Sequence, residues 1–235
     1  MYIFLVINLA CITHAFMIQY NHNMRGSYVM LIQETNSHDL RIAMLPYSSA
    51  LKVVNMYIDT IEEELFTYKR QNPIEHVKSR LKRPSSIARK LEKKGLEPTL
   101  ENAVKYIDDI AGVRIVCQFQ DDIYRIADVI ANIENIRIVQ IKDYIKTPKE
   151  NGYRSYHMHV EIPVRMLHGE EMVKVEFQLR TVAMDFWASL EHKIRNKNES
   201  EIPEHISSEL KLCATIVEKM DDEMQHLNNE IEQLD

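Results

Sequence analysis

The hydrophobic positions of the chain change period several times, and each change predicts an element. From residue 39 to about residue 68, Leu51, Val54, Ile58, Ile61 and Leu65 recur at three- and four-residue steps, one stripe of a helix. Ser48 or Ser49 is placed to cap that helix, and Pro46 to divide the region into two helices. The segment IEHVKSRLKRPSSIARKLEKKGLEP reads as a strand, then a helix that Ser85 or Ser86 caps after Pro84 and that Gly95 and Pro98 close. A short helix over 99–106, a buried strand in AGVRIVCQF, an amphipathic helix over 121–133 and a strand over 136–141 follow. After the turn formers Asn151 and Gly152, period-two alternation places Tyr153, Ser155, His157 and His159 on one face. In VKVEFQLRT it places Glu176, Gln178 and Arg180 on one face, with Phe177 and Leu179 opposite. The helix VAMDFWASLEHKIRNK then turns Phe186, Trp187 and Leu190 toward a core.

The tail has a different period. Ile206, Leu210, Cys213, Val217, Met220, Met224, Leu227, Ile231 and Leu234 step by 4,3,4,3, a seam for another helix of this chain or of a second subunit. Together these elements predict an α/β fold of the α+β kind. A mixed central sheet of about five strands is flanked by helices, with helices at the N-terminus and a long oligomerisation helix at the C-terminus.

A chain of 235 residues can bury one good core. Residues 1–19 are apolar but lack a leading Lys or Arg, and the first positive charge is Arg25. This favours a dispensable extension over 1–36, with Met24, Met30 or Met44 as alternative starts, rather than a membrane anchor. Cys11, Cys117 and Cys213 are scattered without CxxC spacing, which argues against a disulfide framework or a zinc site and fits a reducing cytoplasm. The net charge of −6 conceals an asymmetry: residues 68–94 carry +8 and the remainder −14. A local basic field on an acidic chain suits a polyphosphate, not DNA, which asks for a broad positive face.

The candidate chemistry lies on that basic segment and on 142–181. Lys78, Arg80 and Lys82 share a strand face, and Ser86, Arg89, Lys90 and Lys93 share a helix face beside it. The arrangement is either a solvated basic surface or a cradle for phosphates at a helix N-terminus. Asp108 and Asp109 precede a strand next to these cations; one of them suits Mg²⁺, which takes one or two carboxylates plus phosphate oxygens. Arg114 is a phosphate contact or an edge ion pair. Lys142, Lys146 and Lys149 surround a loop whose Tyr153 either packs or stacks on a base.

The pieces DDIAGVRIVC, KDYIKTPKENGYRSYH, VEFQLRT and AMDFWASLEHK resemble the synthetase domain of RelA/SpoT-type enzymes, above all the single-domain small alarmone synthetases. The resemblance runs from about residue 39 to the C-terminus. It implies a (p)ppGpp synthetase domain over 37–200, an oligomerisation helix over 201–235, and no hydrolase domain. The implied reaction moves the β,γ-pyrophosphate of ATP to the ribose 3′-hydroxyl of GDP or GTP, giving AMP and (p)ppGpp. In that reading Arg80, Lys82, Ser86, Lys90 and Lys93 bind ATP, and Asp109 and Glu176 hold Mg²⁺. Arg114, Lys142, Lys149, Asn151, Tyr153 and His157 bind GDP or GTP, with Tyr153 stacking on the guanine. Gln178 joins Asp109 and Glu176 as a catalytic group that orients the hydroxyl or a base edge. Glu150 stands where relatives carry proline and Tyr156 where they carry leucine. The family also implies a homotetramer. The rival readings are a silent module for single-stranded RNA or a guanine nucleotide, and a nucleotidyltransferase that releases pyrophosphate.

Overall fold

A computed structural model describes residues 37–70, 72–196 and 202–234. The apolar run over 1–19 and the rest of the N-terminal extension lie outside the described residues. No described helix is long and apolar enough to cross a membrane.

Helix α1 (Ser37–Lys69) is continuous, with Pro46 inside it, where the sequence predicted a break. Proline forfeits one backbone hydrogen bond and costs about 3 kcal/mol in a helix interior. Here Tyr47, Ala50, Leu51, Val54, Ile58 and Ile61 follow it on one buried stripe, and their burial outweighs that loss. Ser48 does not cap the helix; its hydroxyl donates to the Leu45 carbonyl one turn back, at 2.9 Å.

Five strands form one sheet: β1 (Ile74–Leu81), β2 (Ala111–Cys117), β3 (Arg137–Asp143), β4 (Tyr156–Met166) and β5 (Gly169–Thr181), in the order β1-β2-β5-β4-β3. Only the central pair β2–β5 is parallel. The mixed sheet and its helices agree with the predicted fold. Helix α2 (Pro84–Glu92) follows β1. Its N-cap is Arg83, without a side-chain cap, so neither Ser85 nor Ser86 fills that position; Pro84 begins the helix, as proline does where no N–H is needed. Helix α3 (Leu100–Tyr106) is capped by Thr99, whose hydroxyl accepts from the Asn102 amide at 3.2 Å. Helix α4 (Gln120–Ala131) links β2 to β3 and buries Ile123, Ile126 and Ile130.

Strand register sorts the sheet into two faces. Val113, Phe177 and Met158 align across β2, β5 and β4 and pack with α1 in the main core. The opposite face is polar, with two rows running across all five strands. One is Lys78–Arg114–Gln178–His157–Lys142; the other is Arg80–Gly112–Glu176–His159–Gln140.

Helix α5 (Val182–Asn196) leaves the end of β5. Trp187 is buried against Ala188 and Ala214, and its indole N–H donates to the Leu210 carbonyl at 3.0 Å. Phe186 and Leu190 were expected in the core but are 60% and 41% exposed. They form an outward stripe with Val182 and Ile194, because the face carrying Met184, Trp187 and Ala188 is the one that meets the body. Helix α6 (Glu204–Glu232) touches the body through Ala214, Asp221 and half-buried Val217. Cys213, Met220, Met224, Leu227, Ile231 and Leu234, six of the nine heptad positions, are exposed.

Candidate active site

The bend before β2 splits the two aspartates. Asp108 pairs with Lys174 at 2.7 Å, while Asp109 points to the basic segment. Lys82 Nζ donates to Oδ2 of Asp109 at 2.8 Å and Lys90 Nζ to Oδ1 at 2.9 Å. Lys82 lies just past the end of β1, where its amide donates to the Ile110 carbonyl at 2.8 Å and holds it beside the bend. Burial pushes the Asp109 carboxyl up, but the two lysine hydrogen bonds and charges outweigh it and hold the group below its ordinary range. Arg80 is exposed on the same sheet face, and Ser86 lies in the first turn of α2. Lys93 is at the far end of α2, exposed, and the structure does not bring it to Asp109 as it does Lys90. Gly112 separates Arg80 from Glu176 in its row, and the Arg80 side chain lies over it, its Cγ and Nε 3.9 Å from where a Cβ would stand.

Glu176 is buried and held at both oxygens. His157 Nδ1 is 3.0 Å from Oε1, Gln178 Nε2 donates to Oε2 at 2.8 Å, and His159 Nε2 lies 3.8 Å from Oε1. Burial raises the Glu176 pKa, yet the His157 and Gln178 contacts bring it below the ordinary carboxylate value. His157 itself is lowered, burial outweighing the attraction of Glu176, so the ring is neutral. An ionised carboxylate can only accept, so Nδ1 carries the proton and Nε2 is the acceptor. The Tyr153 hydroxyl, 2.8 Å away, therefore donates to Nε2 and in turn accepts from Arg180 Nη2 at 2.6 Å. A directed chain of hydrogen bonds runs from Arg180 through Tyr153 and His157 to Glu176.

Strand β4 begins at Tyr156, so Tyr153 and Ser155 belong to the incoming loop, not to the strand face the alternation assigned them. Ser155 is buried and donates to the Leu179 carbonyl at 3.1 Å. Asn151 shapes the loop: its Oδ1 accepts from the Tyr153 amide at 3.2 Å and its Nδ2 donates to Glu191 at 3.2 Å. Gly152 has φ +86°, and a Cβ there would lie 2.4 Å from the Ala214 Cβ, so only glycine lets the loop seat on α6. Lys149 Nζ is 4.9 Å from the Tyr153 ring centroid and 4.6 Å from that of Tyr144. Lys142 ends the row beyond His157, exposed on β3. Arg114 pairs with Asp185 at 3.1 Å.

The structure places Asp109 against Lys82 and Lys90, and Glu176 against His157 and Gln178 beside the Tyr153 loop. The sequence did not reveal Asp185, which binds both Arg114 and Arg180 from α5. It placed Arg180 and His159 on the right face without giving them a role. Among the described residues, His157, His159 and Glu176 have ligand atoms within 4.8 Å of one another, and Arg114 Nε and His159 Nδ1 are buried without a hydrogen-bond partner. Buried donors and acceptors left open beside ionised carboxylates suit a polar, charged ligand.

Residues 79–201 match the family described as the region found in RelA/SpoT proteins. The GTP pyrophosphokinase YwaC of Bacillus subtilis is 44% identical over 199 residues, 85% of this chain and 95% of that protein. The crystal structure of small alarmone synthetase 2 from Bacillus subtilis superposes with a TM-score of 0.74 at 45% identity, covering 82% of this chain and 99% of that one. Small alarmone synthetase 1 from the same organism, bound to its product pppGpp, gives a TM-score of 0.77 at 33% identity over 83% of this chain and 99% of that one. With the polar rows, the Asp109–lysine arm and the Tyr153 loop laid out as above, these matches across the whole sheet establish that the chain belongs to the RelA/SpoT family.

Proposed function

We propose that the chain is a GTP pyrophosphokinase that transfers the β,γ-pyrophosphate of ATP to the 3′-hydroxyl of GDP or GTP, making (p)ppGpp and AMP in the cytoplasm. The observation that carries this is the pair of ionised carboxylates, Asp109 and Glu176, on one polar face between a lysine arm and a tyrosine-bearing loop. A module that only binds nucleotides gains nothing from carboxylates beside phosphate.

The donor half is the basic arm. Arg80, Lys82, Ser86 and Lys90 neutralise the triphosphate and the departing AMP phosphate, and exposed Lys93 meets the outer phosphates. The acceptor half is the loop and β4. Tyr153 stacks on the guanine; Arg114, Lys142, Lys149 and His157 grip its phosphates; Asn151 holds the turn that presents the ring. Gln178 and Glu176 orient the 3′-hydroxyl for in-line attack, a reaction in which positioning and charge neutralisation supply most of the catalysis.

The site fits a hard divalent ion: both acids are ionised, and the more exposed of the two lysines on Asp109, Lys90, can swing to phosphate and free an oxygen. Asp109 and Glu176 would hold Mg²⁺, which when bound neutralises charge on the phosphates. The synthetase domain comprises 37–200. Residues 201–235 join copies into a homotetramer through the exposed positions of the heptad seam, and 1–36 are dispensable.

Incubation with Mg²⁺, ATP and GDP, followed by nucleotide separation, tests the assignment. AMP appearing in step with a guanosine tetraphosphate is expected. Pyrophosphate release identifies a nucleotidyltransferase instead. Unchanged nucleotides leave the binding module, whose ligand is then a guanine nucleotide or single-stranded RNA.

A further inference from the structure

The deepest cation on the polar face has no part in the roles above. Arg180 is the penultimate residue of β5, and its side chain is 5% exposed. Four of its five N–H groups are engaged. Nη1 pairs with Asp185 Oδ1 at 3.1 Å, Nη2 donates to the Tyr153 hydroxyl at 2.6 Å and to Gln178 Oε1 at 3.2 Å, and Nε donates to Ser155 Oγ at 3.4 Å. The guanidinium carbon is also 5.1 Å from the Tyr153 ring centroid. A planar fork with fixed donor directions can satisfy four partners at once; a lysine ammonium cannot reach the same set.

This occupancy argues against contact with substrate. A buried guanidinium with its donors already committed acts through its neighbours. Those neighbours are the ring proposed to stack on the guanine and the amide that holds Glu176 Oε2. Asp185 keeps the arrangement in place, because it neutralises Arg180 and Arg114 together and so lets two guanidiniums lie side by side. Without that shared carboxylate their repulsion would drive them apart.

We infer that Arg180 is a positioning residue of the acceptor half of the site, fixing the Tyr153 ring and the Gln178 amide in one orientation and through them aiming Glu176. The inference rests on the reading of Tyr153 as the guanine-stacking ring.

Steady-state kinetics on three variants test it. Arg180→Lys keeps the charge opposite Asp185 but loses the fork; the KM for GDP should rise about tenfold while the KM for ATP stays within about twofold. Tyr153→Phe keeps the ring and removes only the hydroxyl; it should raise the GDP KM in the same selective way. The double variant should fall short of the product of the two single effects, since the Arg180–Tyr153 bond is common to both. Multiplying effects, equal rises for both nucleotides, or an unchanged GDP KM in Arg180→Lys would overturn the inference. If Arg180→Lys fails to fold, Tyr153→Phe decides alone, and an unaltered GDP KM sinks the proposal. Tyr153→Ala separates the two levels. If it leaves the GDP KM unchanged, the subsite reading itself is wrong; if it raises that KM while Tyr153→Phe and Arg180→Lys do not, only the positioning role falls.

Discussion

His157 Nδ1 donates to Glu176 Oε1 over 3.0 Å, and that bond sets the tautomer of the ring on which the Tyr153 hydroxyl depends. The His157 pKa lies below the ordinary 6.5, because burial disfavours the imidazolium more than Glu176 favours it. Protonation would convert Nε2 from acceptor to donor and reverse the bond to Tyr153, whose hydroxyl would then have to accept from both Nε2 and Arg180. Acceptor kcat/KM should therefore hold level as pH falls through 6.5 and decline only below it. A group with a depressed folded pKa contributes stability above its unfolded value and loses it as pH falls toward the folded one, so the same window should show a falling melting temperature. A wild-type profile already half lost at pH 6.5 or above would contradict the neutral ring.

Asp109→Asn and Glu176→Gln should each abolish alarmone synthesis while the melting temperature shifts by only a few degrees. Asn at 109 leaves Lys82 and Lys90 facing an amide in place of a charge. Full turnover in either variant, read as AMP formed per minute, would remove that residue from the metal site.

Gly152→Ala should damage the acceptor loop in two ways. A left-handed φ costs a non-glycine residue about 1–2 kcal/mol, and the new methyl would meet the Ala214 Cβ at 2.4 Å. The GDP KM should rise and the loop should become more open to proteolysis. Adding Ala214→Gly relieves the overlap but not the backbone strain, so recovery should be partial. Complete recovery would show that the φ requirement is weak.

Asp221 gives a pH dependence of opposite sign. Burial raises its pKa to about 6, against the Thr181 hydrogen bond and the charge of Arg154. A carboxyl raised in the folded state contributes stability at low pH that is lost as pH rises through about 6. At pH 8 the charged form costs the fold roughly 3 kcal/mol. Asp221→Asn keeps an acceptor for Thr181, at 2.9 Å in the wild type, and should raise the melting temperature at pH 8 but not at pH 4. Equal shifts at both values would assign the gain to packing.

Much of this could be read from the chain because the polar sheet face obeys a simple period. Alternation in VKVEFQLRT put Glu176, Gln178 and Arg180 together, and β5 keeps all three on that face. The helical stripe from Leu51 to Ile61 likewise marked the side of α1 that the core claims. Local rules failed where tertiary contact decides. Pro46 stays inside a helix because the stripe beyond it is buried. Phe186 and Trp187 are adjacent and equally apolar, and only the position of α6 determines which one is covered. Asp185 binds guanidiniums from two strands, a relation that no spacing within α5 encodes.

The central pair β2 and β5 is parallel, and a parallel partner cannot be supplied by a tight turn. Between them the chain lays down α4, β3 and β4. Asp109 thus leaves the ribosome long before Glu176 exists to face it, and Arg114 waits as long for Gln178. A nascent chain can complete its lysine arm, but it has no competent cleft until β5 slots into the middle of the sheet. A fragment ending before β5 would lack Glu176, Gln178 and Arg180 together with the strand that joins β2 to β4.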